Sequence, residues 1–128
     1  MTVSEYLDAV KERILTDSLV SIFRLIRERA TLTDGHLRAR LTLRDNSLLE
    51  FSEYVQITSA GQIQVATYSY HWCDADNKLI RRWDNTPHFP ALPNSPHHVH
   101  VGPGEDVRGG QPMDIFSVLD EIARSVST

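Results

Sequence analysis

Residues 36–57, HLRARLTLRDNSLLEFSEYVQI, decide the fold, because apolar and polar residues alternate in two runs that a turn separates. Alternation with a period of two is typical of β-strands that bury one face. The dipeptide Asp45–Asn46 between the runs is a turn signal. Because parallel strands need a connection of a dozen or more residues, the two runs predict an antiparallel hairpin.

The same pattern extends this hairpin in both directions along the chain. Further strands are predicted at Ile63–Trp72, Lys78–Trp83 and His97–Val101. The segment Val20–Arg29 suits either a helix or an apolar strand, and its β-branched residues favour the strand. Each of the turns near residues 45, 60 and 75 is short, which indicates an antiparallel meander.

Two helices are predicted to frame this sheet. The segment Ser4–Thr16 has apolar residues at helical spacing and follows a capping-box pattern, and Pro112–Ser125 is amphipathic. Between the sheet and the second helix, four prolines within residues 84–96 indicate an ordered loop or lid, and residues 102–110 read as a flexible exposed loop. The fold class is therefore α+β: a five- or six-stranded antiparallel sheet with an N-terminal and a C-terminal helix, which cover one sheet face.

Length and composition predict one soluble domain over residues 1–128. The formal net charge of −4 argues against a protein that coats duplex DNA, since such proteins need a basic footprint. Cys73 is the one cysteine, which fits a reduced, cytoplasmic location, and Glu5 and Asp8 argue against a signal peptide. No stretch approaches the roughly 18 apolar residues of a membrane span.

Glu53 breaks the alternation, because it shares a strand face with Leu49, Phe51 and Val55. An ionised carboxylate on an apolar face is costly unless it is paired. Three interpretations follow: a buried Glu held by an arginine or a hydroxyl, a catalytic carboxylate with a perturbed pKa, or a β-bulge that moves it off the face.

The polar face of the preceding strand carries a stripe of basic residues, namely His36, Arg38, Arg40 and Arg44. A solvated sheet surface is the simplest interpretation. Guanidinium groups at alternate positions would also match a nucleic-acid backbone or an acidic partner protein.

Five of the six histidines lie within thirty residues of one another, at positions 71, 88, 97, 98 and 100. His98 and His100 point to the same side of an extended segment, so both imidazoles could reach one phosphate or one metal ion. A divalent metal would need a third ligand, for which the candidates are Asp84, Asp74, Asp76 or His88. The competing interpretation is that these histidines make hydrogen bonds within the Pro-rich loop. No cofactor is required.

Tyr68, Tyr70 and Trp72 alternate along one strand and are followed by Trp83 on the next. They form either part of the core or a platform on which bases stack. Arg82 and Asp84 share a strand face, which predicts an ion pair between them.

The runs YSYHW (68–72), RRWDNTPH (81–88), PHHVHV (96–101) and LEFSEYV (49–55) resemble the TumE family of small prokaryotic proteins. The resemblance covers roughly residues 36–119. It implies the toxin of a toxin–antitoxin pair and a cognate antitoxin, typically a small DNA-binding protein. Phe89 stands where the family pattern suggests a second histidine, so no paired imidazole is expected there.

The leading hypothesis is a toxin that cleaves or modifies RNA, with histidines as acid and base and arginines holding phosphate. The candidate catalytic residues are Glu53, Tyr70, His71, Arg82, Asp84, His98 and His100, and the candidate substrate-binding residues are Arg38, Arg40, Trp83, His88 and His97. The alternative is a non-enzymatic toxin that binds and blocks a cell-division or translation protein. Homodimerisation is a further candidate interaction.

His71, Arg82, Asp84, His98 and His100 are expected to converge on one concave surface once the Pro-rich loop folds back over the sheet. An ordinary hairpin register would place Arg82 opposite a residue close to Tyr68. His71 and Arg82 would then lie about three strand positions apart, on the order of 10 Å, without direct contact.

Overall fold

The computed structural model describes residues 1–126, in which two helices frame seven strands. The elements are α1 (Val3–Thr16), β1 (Val20–Ala30), β2 (Asp34–Leu43), β3 (Leu48–Ile57), β4 (Ile63–Cys73), β5 (Leu79–Asp84), β6 (His98–Val101), β7 (Asp106–Gly109) and α2 (Ile115–Val126). The α1 helix begins at the predicted capping box, in which Thr2 and Glu5 bond each other's backbone N–H. Neither helix is long and apolar enough to span a bilayer.

All seven strands form one antiparallel sheet in which each strand pairs with the next along the chain. The predicted meander and both helices are confirmed, and the ambiguous segment after α1 is a strand. The predicted number of strands is wrong, since there are seven rather than five or six among residues 1–126. The missed strand is β7, which lies in the segment predicted to be a loop. Its four residues are too few, and too polar, to show an alternating pattern.

Both helices pack on one face of the sheet, here called the inner face. Alternate residues of the strands fill it, and the largest are the aromatic residues of β3, β4 and β5. Gly35 is the second residue of β2. A Cβ atom there would lie 2.6 Å from Val3 Cγ1, so the missing side chain allows α1 to approach the sheet.

Glu53 lies at the centre of the inner face and is fully buried. Its carboxylate accepts hydrogen bonds of 2.7 Å from the Tyr6 hydroxyl of α1, the Tyr70 hydroxyl of β4 and the backbone N–H of Ile115, the first residue of α2. Of the three interpretations of Glu53, a buried Glu held by an arginine or a hydroxyl is confirmed, and hydroxyl groups take that role. One side chain of β3 therefore ties two helices and a neighbouring strand together.

Replacing Glu53 by Ala should strongly destabilise the protein. It would leave two buried hydroxyls and a helix N-terminal N–H without an acceptor, at about 1–3 kcal/mol each. We expect urea unfolding to give a free-energy loss of about 3 kcal/mol or more. The control is Glu50→Ala on the same strand, whose half-exposed ion pairs are worth about 0–1 kcal/mol. Equal losses for both variants would contradict this account of Glu53.

The stability of the wild-type protein should also depend on pH through Glu53. Burial raises the pKa of Glu53 above its ordinary value of 4.5, although hydrogen bonds from Tyr6 and Tyr70 oppose the shift. The folded state therefore holds the proton more tightly than the unfolded state, and this contribution is lost as the pH rises from 4.5 through the folded-state pKa. The free energy of unfolding of wild type, measured relative to Glu53→Gln, should fall as the pH increases above 4.5. If the free energy of unfolding of wild type relative to Glu53→Gln instead rises with pH, the folded protein prefers the ionised carboxylate.

Candidate active site on the outer sheet face

The face of the sheet opposite the helices, here called the outer face, carries polar residues aligned across five strands. The strand register places two rows side by side. The first row is Arg40, Glu50, His71, Arg82 and His100, in order from β2 to β6. The second row is Arg38, Ser52, Ser69, Asp84 and His98. Neighbouring members of a row are directly paired residues, so their side chains lie within reach of one another.

The pairing of His71 with Arg82 corrects the predicted register. The turn after β4 is longer than expected, because the Asp74 N–H bonds the Lys78 carbonyl and Cys73 pairs with Leu79. An irregularity between Trp72 and Cys73 then shifts the register by one more residue. His71 and Arg82 are therefore direct neighbours, rather than three positions apart.

A cleft of about 430 Å³ opens over the β2–β5 part of these rows. Its lining residues include Arg38, Glu50, His71 and Arg82. Glu50 forms ion pairs with two arginines of the predicted basic stripe. Arg38 Nη2 lies 3.1 Å from Glu50 Oε2, and Arg40 Nη2 lies 2.7 Å from Glu50 Oε1. Three guanidinium groups and two carboxylates thus stand in the two rows, which makes this surface locally cationic on a chain of net charge −4.

At the β5–β6 end of the rows, Asp84 contacts three side chains. Arg82 Nε lies 3.1 Å from Asp84 Oδ2, which confirms the predicted ion pair. His98 Nε2 lies 2.8 Å from Asp84 Oδ1, and His100 Nε2 lies 3.7 Å from Asp84 Oδ2. Asp84 and His98 are buried, whereas the side chains of His100 and Arg82 keep 26% and 43% of their surface exposed.

The Pro-rich loop forms a wall beside this end of the rows. The Phe89 ring lies 4.9 Å from the His98 ring and 5.9 Å from the His100 ring, centre to centre. The Pro93 carbonyl lies 2.5 Å from where a Cβ atom of residue 109 would be, so only glycine allows the loop to pack there. The loop therefore shields His98 while leaving Arg82 open to the cleft.

The environment favours the neutral form of both partly exposed histidines. Burial, followed by the Arg82 guanidinium, lowers the pKa of His71 from its ordinary value. Burial also lowers the pKa of His100, although Asp84 opposes that shift. A neutral imidazole at neutral pH can accept a proton.

Five of the predicted site residues lie outside these rows. Glu53 and Tyr70 are bonded to each other on the inner face, and Trp83 is buried there against Trp72, with ring centres 6.4 Å apart. His97 stacks on Tyr68 and contacts its hydroxyl through Nδ1 at 2.8 Å. The aromatic residues of β4 are therefore core, and the interpretation as a base-stacking platform is wrong. His88 is exposed in the Pro-rich loop, where its ring contacts the ring of Phe89.

Sequence reasoning missed Glu50, Ser52 and Ser69, which occupy the middle of the two rows. Their signal was present, because each alternates with an apolar residue and so had to face the same side as His71. What was missing was the register, since alternation assigns a face but not a cross-strand partner.

The family model described as Toxin TumE matches residues 10–128, nearly the whole length. Neither the curated proteins nor the solved structures gave a match. The match includes every strand and both polar rows, so the chain belongs to the TumE family of toxins.

Proposed function

We propose that this toxin cleaves RNA on the outer sheet face and acts in the cytoplasm, with residues 1–128 working as one domain. The observation that carries the proposal is the alignment of His71, Arg82 and His100 on three successive strands. Adjacent strands lie about 4.8 Å apart, so the two histidines flank Arg82 at about 5 Å on either side. A phosphate held by Arg82 would have an imidazole on each side.

RNA cleavage by internal attack needs this distribution of groups. The ribose 2′-oxygen loses its proton, attacks phosphorus and displaces the 5′-oxygen, which gains a proton; the products are a cyclic phosphate and a 5′-hydroxyl end. In this proposal His71 accepts the first proton, as its lowered pKa allows. Arg82 and Arg38 hold the phosphate oxygens. On the far side of Arg82, a water molecule beside Asp84 and His100 gives a proton to the 5′-oxygen. The hydroxide that remains is neutralised by the proton that His71 has taken up.

The charge and composition of the outer face support contacts with the RNA backbone rather than with bases. The local guanidinium groups of β2 and β5 attract phosphate even though the whole chain is acidic. The large aromatic residues of β4 and β5 face the core, so base stacking contributes little to the proposed complex. We therefore propose low sequence specificity, with single-stranded RNA as the substrate.

Membership of a toxin family implies an antitoxin partner. We expect the protein to arrest growth when it is produced alone in a bacterial host, and to be tolerated when the gene adjacent to its own is expressed with it. Growth curves after induction test this expectation. Unimpaired growth in both strains would contradict the toxin assignment.

The proposed chemistry predicts that His71→Gln and Arg82→Gln each slow RNA cleavage by about 100-fold or more, since a positioned acid–base group contributes about 10²–10⁴-fold. Both residues are partly exposed on the sheet face, and glutamine at position 82 can still donate a hydrogen bond to Asp84, so thermal unfolding should change little. The control is Arg108→Gln on β7, an exposed arginine outside both rows, which should cleave at the wild-type rate.

Electrophoresis of total RNA after induction and of a labelled oligonucleotide in vitro measures this effect. Growth arrest with intact RNA would reject cleavage and favour the alternative, a toxin that binds and blocks a cellular protein. Unchanged cleavage by both variants would remove His71 and Arg82 from the mechanism.

A further inference from the structure

We propose that Asp84, His98 and His100 form a binding site for a divalent transition-metal ion of the Zn²⁺ type. The proposal goes beyond RNA cleavage and does not depend on it, because the site follows from the positions of three side chains. Asp84 is the last residue of β5, and the two histidines are alternate residues of β6, its neighbour in the sheet.

The three side chains offer donor atoms at the spacing that one ion requires. One oxygen of Asp84 and one nitrogen of each histidine all lie within 4.8 Å of one another. Asp84 Oδ1 and His98 Nε2 are 2.8 Å apart, and Asp84 Oδ2 and His100 Nε2 are 3.7 Å apart. Ligands held about 2.0–2.1 Å from an ion are separated by no more than about 4 Å, so small side-chain adjustments suffice.

The orientation of His98 is the decisive observation. Its Nδ1 lies 2.8 Å from the Pro96 carbonyl, which can only accept a hydrogen bond, so Nδ1 carries a proton. Its Nε2 is buried beside the Asp84 carboxylate and yet makes no hydrogen bond among the described residues. Asp84 Oδ1 and His98 Nε2 therefore lie close together without a hydrogen bond between them. This arrangement is expected when the lone pairs of both atoms face a common ion.

The surroundings supply the outer contacts that such sites use. A metal-bound histidine usually donates its other N–H to a carbonyl or carboxylate, which is the role of Pro96 for His98. Asp84 is itself held by the Thr86 N–H at 3.1 Å and by the adjacent Arg82 guanidinium. Phe89 covers the imidazole edges and limits the access of water.

The donor set identifies the class of ion. Two imidazoles and one carboxylate suit Zn²⁺ and neighbouring transition metals, whereas Mg²⁺ and Ca²⁺ prefer oxygen ligands. Three protein ligands leave a fourth position of a tetrahedral ion for water or substrate, and that pattern is typical of catalytic rather than structural zinc. His100 retains 26% exposure and borders Arg82, so the open position would face the cleft.

Calorimetric titration of untagged, chelator-treated full-length protein tests the proposal. Wild type should bind one Zn²⁺ ion per chain and should show no comparable binding of Mg²⁺. His98→Gln and His100→Gln should each weaken Zn²⁺ binding by about 100-fold or more, since even outer contacts of a metal site contribute about 10–100-fold. The matched control, His36→Gln, removes an imidazole from the same sheet face outside both rows and should bind like wild type.

Melting temperatures without metal separate ligand loss from misfolding. His98 is buried, so its variant can fail by unfolding, whereas the partly exposed His100 can be replaced with little change in stability. Absence of Zn²⁺ binding by folded wild type would overturn the proposal and leave Asp84 and His98 as a simple ion pair. Equal binding by wild type and folded His100→Gln would overturn it as well. If wild type binds Zn²⁺ but leaves RNA intact, the metal-site proposal stands and the proposed RNA cleavage is wrong.

Discussion

The hydrogen bonds of the buried Glu53 carboxyl group are the interaction on which the arrangement of the whole molecule depends. A sheet and two amphipathic helices could pack in several ways through apolar contact alone, because such contact has no direction. Hydrogen bonds to Tyr6, Tyr70 and the first N–H of α2 do have direction, and they meet at one side chain of β3. Burying the carboxyl group opposes folding, so the fold is favoured only when all three donors are in place.

This use of the inner face leaves the polar strand residues on the outer face. Both helices and all the large aromatic residues of β4 and β5 lie on the inner side, so the polar residues between them in sequence line up on the opposite surface. Strand alternation separates the two roles residue by residue: Tyr70 stabilises the core, and His71 faces the cleft. A polar residue of β3 or β4 therefore faces the core or the cleft according to its alternate position along the strand.

The far end of the sheet shows how a short element can complete a site. The four-residue strand β7 pairs with β6 and extends the sheet beyond His98 and His100. Its Gly109 gives the Pro-rich loop room to pack, and that loop brings Phe89 against both imidazoles. The result is a polar cluster with one shielded side and one open side, although the segments that build it are among the least regular in the sequence.

The sequence by itself determined the class of fold, the antiparallel order of the first strands and the face on which most strand residues lie, because these follow from local periodicity. It also marked Glu53 as the residue that breaks the pattern, because an unpaired charge on an apolar face is costly. Only the tertiary structure decided the seventh strand, the partners of Glu53 and the alignment of His71 with Arg82 and His100. Those depend on the length of the turn after Cys73 and on an irregular residue beside it. A shift of two residues in register would exchange every cross-strand neighbour without changing the face of any residue, so alternation alone does not specify the register.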